Sequence, residues 1–134
     1  MRSADEGCFC PEDVIVEKLE DGKYSLQAVA VRTQNGINIY IGGGELPHIG
    51  TVVISQPRLS LKGDGNTSCT TSVFNLVSHK DDAMAIPLAE RICKKLNQVV
   101  VVTAGVHIDN ADKQDIDRFI RNLASLGDSL SERL

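Results

Sequence analysis

The stretch Asn35-Gly36-Ile37-Asn38-Ile39-Tyr40-Ile41-Gly42-Gly43-Gly44 decides the fold class. Its isoleucines alternate with Asn38 and Tyr40, the period of two that turns one side of an extended chain toward a core and the other toward solvent. Asn35-Gly36 is a hairpin signal because both residues tolerate positive φ. The three glycines are read as the end of the strand. Toward the N-terminus, Tyr24, Leu26, Ala28 and Ala30 alternate with Ser25, Gln27 and Val29 in another strand. Asp21-Gly22 supplies a tight turn before it, and Val14–Leu19 reads as a strand before that turn. Toward the C-terminus, Thr51–Ser55 is a fourth strand closed off by Pro57, which cannot donate to a ladder. Lys62-Gly63-Asp64-Gly65-Asn66 is a loop, and Ser68–Val77, rich in β-branched residues, is a fifth strand. These connections are too short for parallel crossovers, so the five segments are expected to form an antiparallel meander.

Beyond them the period changes. Ala85, Leu88, Ala89, Ile92, Cys93 and Leu96 lie at helical spacing and predict one helix from about Asp81 to Leu96, with Ser78 and Asp81 placed as a capping pair. Pro87 inside this pattern either kinks the helix or marks its effective start. Val99–Val102 is an uninterrupted apolar run, the mark of a strand covered on both faces. Asp109-Asn110 is placed to cap a last helix with the stripe Ile116, Phe119, Ile120, Leu123 and Leu126, and Gly127 to terminate it. The reading is α+β: a mainly antiparallel sheet of about six strands, a five-strand meander followed by α-β-α, with two helices packed on it. A sheet face left bare by two helices favours a homodimer.

The length of 134 residues fits one domain, residues 13–134, behind a flexible polar leader over 1–12. A net charge of −4, without a Lys/Arg cluster or aromatic platform, argues against a nucleic-acid partner. No apolar run approaches the roughly 18–20 residues of a membrane span. Cys8, Cys10, Cys69 and Cys93 match neither a disulfide framework nor paired CxxC knuckles, so free thiols in the cytoplasm are expected. Cys8-Phe9-Cys10 is either a soft-metal or redox pair or an incidental feature of a tail. Cys93 belongs to the core stripe.

Three segments concentrate chemistry, each where a strand runs out. Gly42 to Gly50 includes Glu45 and His48, and its glycines either leave N–H groups free for an anion or simply allow an irregular connection. It has neither P-loop nor dinucleotide-fingerprint spacing. Ser78 to Asp82 places His79 and Lys80 beside a helix N-terminus, where anions are favoured, or else in a solvated helix entry. Gly105 to Asn110 holds His107 and Asp109, as ligand contacts or as helix-entry residues. No His-x-x-x-His pair supports zinc, and no GxSxG elbow supports a serine hydrolase. The expectation is that the three histidines meet at one hollow at the sheet margin.

Gly43-Gly44-Glu45-Leu46-Pro47-His48-Ile49-Gly50, His79-Lys80-Asp81-Asp82 with Pro87-Leu88-Ala89-Glu90-Arg91, and Val102 to Asn110 occur in that order. Together they resemble the LpdD-like prenylated-flavin chaperones, small accessory proteins encoded beside UbiD-type decarboxylases, over roughly Ile37 to Leu126. The resemblance implies a fold like that of proteasome assembly chaperones. It also implies a non-catalytic partner of a UbiD-like decarboxylase acting on a hydroxylated aromatic acid, one that loads or protects prenylated FMN or FMN. The matching positions that become candidate cofactor contacts are Gly43, Gly44, Glu45, His48, Gly50, His79, Lys80, His107 and Asp109. Two other readings stand beside it: a homodimeric assembly factor that binds only protein, and a small enzyme using His48, His79 or His107 as a general base.

Overall fold

The computed structural model describes residues 11–76 and 81–134. The main elements are β1 (Val14–Leu19), β2 (Leu26–Arg32), β3 (Gly36–Gly44), β4 (Thr51–Leu59), β5 (Thr67–Asn75), α1 (Asp82–Leu96), β6 (Val99–His107) and α2 (Lys113–Arg133). The strands form one six-stranded sheet in the order β1-β2-β3-β6-β4-β5. A mostly antiparallel sheet with two helices is the α+β class that the sequence patterning predicts.

The expected five-strand meander is interrupted once. β6 enters between β3 and β4, parallel to β3 and antiparallel to β4. β1-β2-β3 keeps its meander and β4-β5 its hairpin. Because α1 carries the chain back across the sheet, the most continuously apolar strand takes a central place with a neighbour on each edge.

One face of the sheet is the core. In register, Ala30, Ile39, Val102 and Val53 form one buried row, and Ala28, Ile41, Ala104 and Thr51 the next. α1 covers β4, β5 and β6, while α2 covers β1 and β2. The helices bury Ala85, Leu88, Ala89, Ile92, Cys93, Phe119, Leu123, Leu126 and Leu130 against these rows. Small strand residues opposite large helical ones let the layers approach, and each buried Leu or Ile contributes about 1.5–3 kcal/mol. Cys93 is fully buried, and that desolvation raises its thiol above the ordinary range.

The other face carries no helix. Val14, Val16, Ile54 and Phe74 are exposed on it, and Val29, Val31, Tyr40 and Val101 are half-buried. Its charged residues, Lys18 and Arg58, sit next to last on β1 and β4.

Several boundaries differ from the sequence reading for local reasons. β4 runs through Pro57 because its pairing with β6 stops at Ser55, leaving an open edge where no donor is needed. β3 includes Gly42 to Gly44 instead of stopping before them. α1 continues through Pro87, which is exposed. α2 is capped by Asp112, not Asp109-Asn110, through a reciprocal box with Asp115. Gly127 is a buried position inside α2; a Cβ there would stand 3.0 Å from Leu88 Cδ1, so its bareness allows α1 and α2 to touch. Ile116 and Ile120, expected in the core stripe, are exposed. The predicted Ser78 cap and residues 1–10 lie outside the described residues. Among the described residues, no helix is long and apolar enough to cross a membrane.

Candidate functional site

β3 and β6 run in parallel and end together, with Gly44 opposite His107. The connection from Glu45 to Gly50 must then cross the end of β6 to begin β4 on its far side. Backbone bonds fasten it there: Glu45 N donates to His107 O (2.7 Å), His48 N to Gly105 O (3.4 Å) and Gly50 N to Ala104 O (2.8 Å). Gly44 N donates to Ser25 O at 3.0 Å, and Leu46 N shares His107 O at 3.4 Å. The amides read from the sequence as free for an anion are therefore engaged.

Close approach explains the glycines. Gly44 has φ +73°, and a side chain on it would run into the His107 carbonyl. The His48 carbonyl occupies the place where a Cβ of Gly105 would project. Tyr40 lies across Gly42 and donates its hydroxyl to that same His48 carbonyl at 3.1 Å. Burial holds the Tyr40 phenol above its ordinary value, which keeps it a neutral donor.

This route brings two of the three histidines together. The His48 and His107 ring centroids are 6.3 Å apart with an interplanar angle of 79°. His79 and Lys80 lie outside the described residues. His48 Nδ1 donates to Leu46 O at 3.1 Å, since a carbonyl only accepts, and Nε2 stands 3.5 Å from Asp81 Oδ2. Asp81 is the residue that the sequence reading assigned only to helix capping. Its side chain makes no cap bond; it is nearly buried and turns instead to the site, where Oδ1 accepts from Val106 N at 3.2 Å. One carboxylate thus ties α1, β6 and the glycine loop, and Gly50 is bare where it packs against that carboxylate.

His107 is more open: Nε2 is 3.1 Å from Asp109 Oδ1, and both side chains are largely exposed. Glu45 is exposed at the rim, as are Leu46 and Ile49 of the loop. Gly44, Glu45, His48, Gly50, His107 and Asp109 therefore gather at one end of the sheet, with Gly43 buried under Ser25 and Leu26 on the β2 side. Tyr40, Asp81 and Gly105 were not among the expected contacts, although Asp81 and Gly105 lie within segments that the sequence singled out. Among the described residues, no three His, Cys, Asp or Glu side chains gather as metal ligands.

Comparison with known families settles the relationship. The model of the prenylated flavin chaperone LpdD-like domain matches residues 20–134. The chain belongs to the LpdD-like family. As an LpdD-like domain it also shares its fold with a solved yeast protein from the "Crystal Structure of a Novel Chaperone Complex for Yeast 20S Proteasome Assembly". The TM-score is 0.58 at 17% identity, covering 90% of this chain and 96% of that one. A comparison with curated proteins finds no match. The expected family and its fold likeness are both found.

Proposed function

We propose that this LpdD-like chain is a cytoplasmic, non-catalytic accessory protein of a UbiD-type hydroxyaryl acid decarboxylase, helping to load or protect prenylated FMN and working as a homodimer. Family membership over 20–134 supports the prenylated-flavin part. The observation that carries a binding role is the uncovered sheet face, where Val16, Ile54 and Phe74 are exposed and charge is confined to Lys18 and Arg58. Exposed apolar side chains grouped in the middle of an uncovered sheet mark an interaction surface. Six strands at about 4.8 Å spacing, with about five residues each, span roughly 29 by 17 Å. That footprint of roughly 490 Å² is about three-fifths of the roughly 800 Å² per partner of a standard interface. A second copy is the occupant this reading commits to, because the two cations sit near the ends of their strands, away from the apolar middle, and sheets stack face to face.

The decarboxylase performs the chemistry in this reading, and His48, His107, Asp109 and Glu45 form a docking or cofactor-facing rim. Anaerobic co-expression of the decarboxylase and a flavin prenyltransferase, with and without this chain, is the test. Higher decarboxylase activity and higher prenylated-FMN content with the chain present are expected; equal values overturn the reading. Light scattering should give twice the 14.5 kDa chain mass.

The engaged amides of Gly44, Glu45, Leu46, His48 and Gly50 and the exposed Leu46 and Ile49 favour a second reading, an assembly factor that binds only protein. Enhancement of decarboxylase assembly without a change in flavin content would select it.

A further inference from the structure

Among the described residues, β5 has a neighbouring strand on one side only. At the two ends of its hairpin with β4, Leu76 N donates to Gly50 O and Ser60 N to Asn66 O. Bonded positions in an antiparallel pair recur every second residue, and the register between these ends is unbroken. Ser68, Thr70, Ser72 and Phe74 therefore direct their N–H and C=O groups at β4. Those of Thr67, Cys69, Thr71, Val73 and Asn75 point outward. Pro57 fits this phase, because it lies opposite Cys69, where β4 needs no donor toward β5. Among the described residues, no other backbone group bonds to the outward row. Open edges template pairing with another chain, and proteins blunt them with charge, proline, bulges or a covering segment. The opposite edge, β1, is blunted: it has six residues, carries Glu17 and Lys18, and Arg133 Nη1 donates to Val16 O at 2.9 Å. β5 has nine residues, without charge, proline or bulge.

We propose that β5 receives an extended segment of a partner protein as a seventh strand, antiparallel to it. Charge sets the direction. On the helix side of the sheet, Thr71 Oγ1 donates to Glu90 Oε1 at 2.9 Å, and Asn75 Nδ2 to Asp82 Oδ2 at 3.2 Å. On the bare side, Arg58 lies opposite Ser68 and donates from Nε to Thr70 Oγ1 at 3.0 Å. Among the described residues, none of these three charges is in an ion pair. An antiparallel guest lays its N-terminal half beside the two carboxylates and its C-terminal half beside Arg58. The fitting segment is β-branched and mostly uncharged, with a cation early on its helix side and a carboxylate late on its bare side. A second copy fits less well, since a two-fold pairing about Thr71 sets Glu90 against its own image. Stacking of a second copy on the open face leaves this edge free, and the inference is independent of the flavin reading.

The probe is a capped nine-residue peptide of alternating threonine and valine, with lysine third and glutamate eighth, titrated into the full chain by calorimetry. Val73→Pro removes one outward N–H and leaves the bonds to β4, so its melting curve should match wild type. Support is saturable binding that weakens at least about tenfold in Val73→Pro, and likewise with lysine and glutamate exchanged in the peptide. N-methylation of alternate peptide amides should abolish binding for one set and spare it for the other. Should Val73→Pro melt early, that peptide pair decides on the wild-type chain. By NMR, amide exchange at Cys69, Thr71 and Val73 should slow about tenfold on binding, while Thr70 and Ser72 stay unchanged. Binding that ignores a folded Val73→Pro or both N-methylated sets overturns the proposal, as does tighter binding of the exchanged peptide or none at millimolar concentration. Outward amides already protected in the free chain, and more so at higher protein concentration, place a second copy on the edge and also overturn it.

Discussion

Removing the Asp81 carboxylate should detach the glycine loop and cost stability that can be counted from its contacts. In Asp81→Ala, the Val106 N–H that donates to Oδ1 loses its partner in a nearly buried place, at about 1–3 kcal/mol. The contact with His48 at 3.5 Å, between two mostly buried side chains, adds about 1 kcal/mol. No capping term is subtracted, because the Asp81 side chain makes no bond to the α1 N-terminus. The total is about 2–4 kcal/mol, or a fall in Tm of roughly 10 °C for a domain of this size. Asp81→Asn keeps an acceptor for Val106 and should cost about 1 kcal/mol or less. Urea unfolding of both variants, with His48→Ala and the double mutant, closes a thermodynamic cycle. A coupling near 1 kcal/mol between positions 48 and 81 is expected. An Asp81→Ala cost below about 0.5 kcal/mol, or zero coupling, would refute the claim that this carboxylate binds the site together.

Gly105→Ala should push the His48 carbonyl off β6 and lower Tm, while Gly65→Ala, strained by φ +75° but in open space, should cost about 1 kcal/mol; differential scanning fluorimetry compares them. On the open face, Ile54→Lys should turn a dimer into a monomer without unfolding it, which light scattering and circular dichroism report together. The pair Asp21 and Asp115 predicts acid sensitivity. Hydrogen bonds from Arg118 and Asn122 hold Asp21 below 3.8, and bonds from Tyr24 and the Asp112 backbone do the same for Asp115. Both folded values are depressed, so their stabilisation is present above about pH 4 and is lost as pH falls through the folded values. Thermal melts from pH 6 down to about pH 2 should show a decline that is shallower in the double variant Asp21→Asn, Asp115→Asn.

The elements were legible where the pattern is local. Ile37, Ile39 and Ile41 alternate because one side of β3 meets the core, and the α1 stripe through Ala85, Leu88, Ala89, Ile92 and Cys93 is buried as its spacing predicts. Strand order was not legible, because nothing in Val99–Val102 states which edges it will join. That one insertion explains the rest of the difference. It ends β3 and β6 side by side, forces residues 45–50 across Gly105, and turns an apparently flexible glycine run into a closely fitted strand. Asp81 was hidden because an aspartate before a helix ordinarily reads as a cap. The Asp112–Asp115 spacing did carry a capping-box signal, but Asp109-Asn110 competed with it three residues earlier.

The central claim, that this chain handles prenylated flavin on behalf of a decarboxylase, is tested most directly by transfer. The purified chain is incubated anaerobically with prenylated FMN, freed of unbound cofactor and mixed with apo-decarboxylase. Flavin absorbance should co-purify with the chain and then move to the decarboxylase as its activity appears. A chain that retains no flavin and leaves the rate of decarboxylase activation by free cofactor unchanged would contradict it.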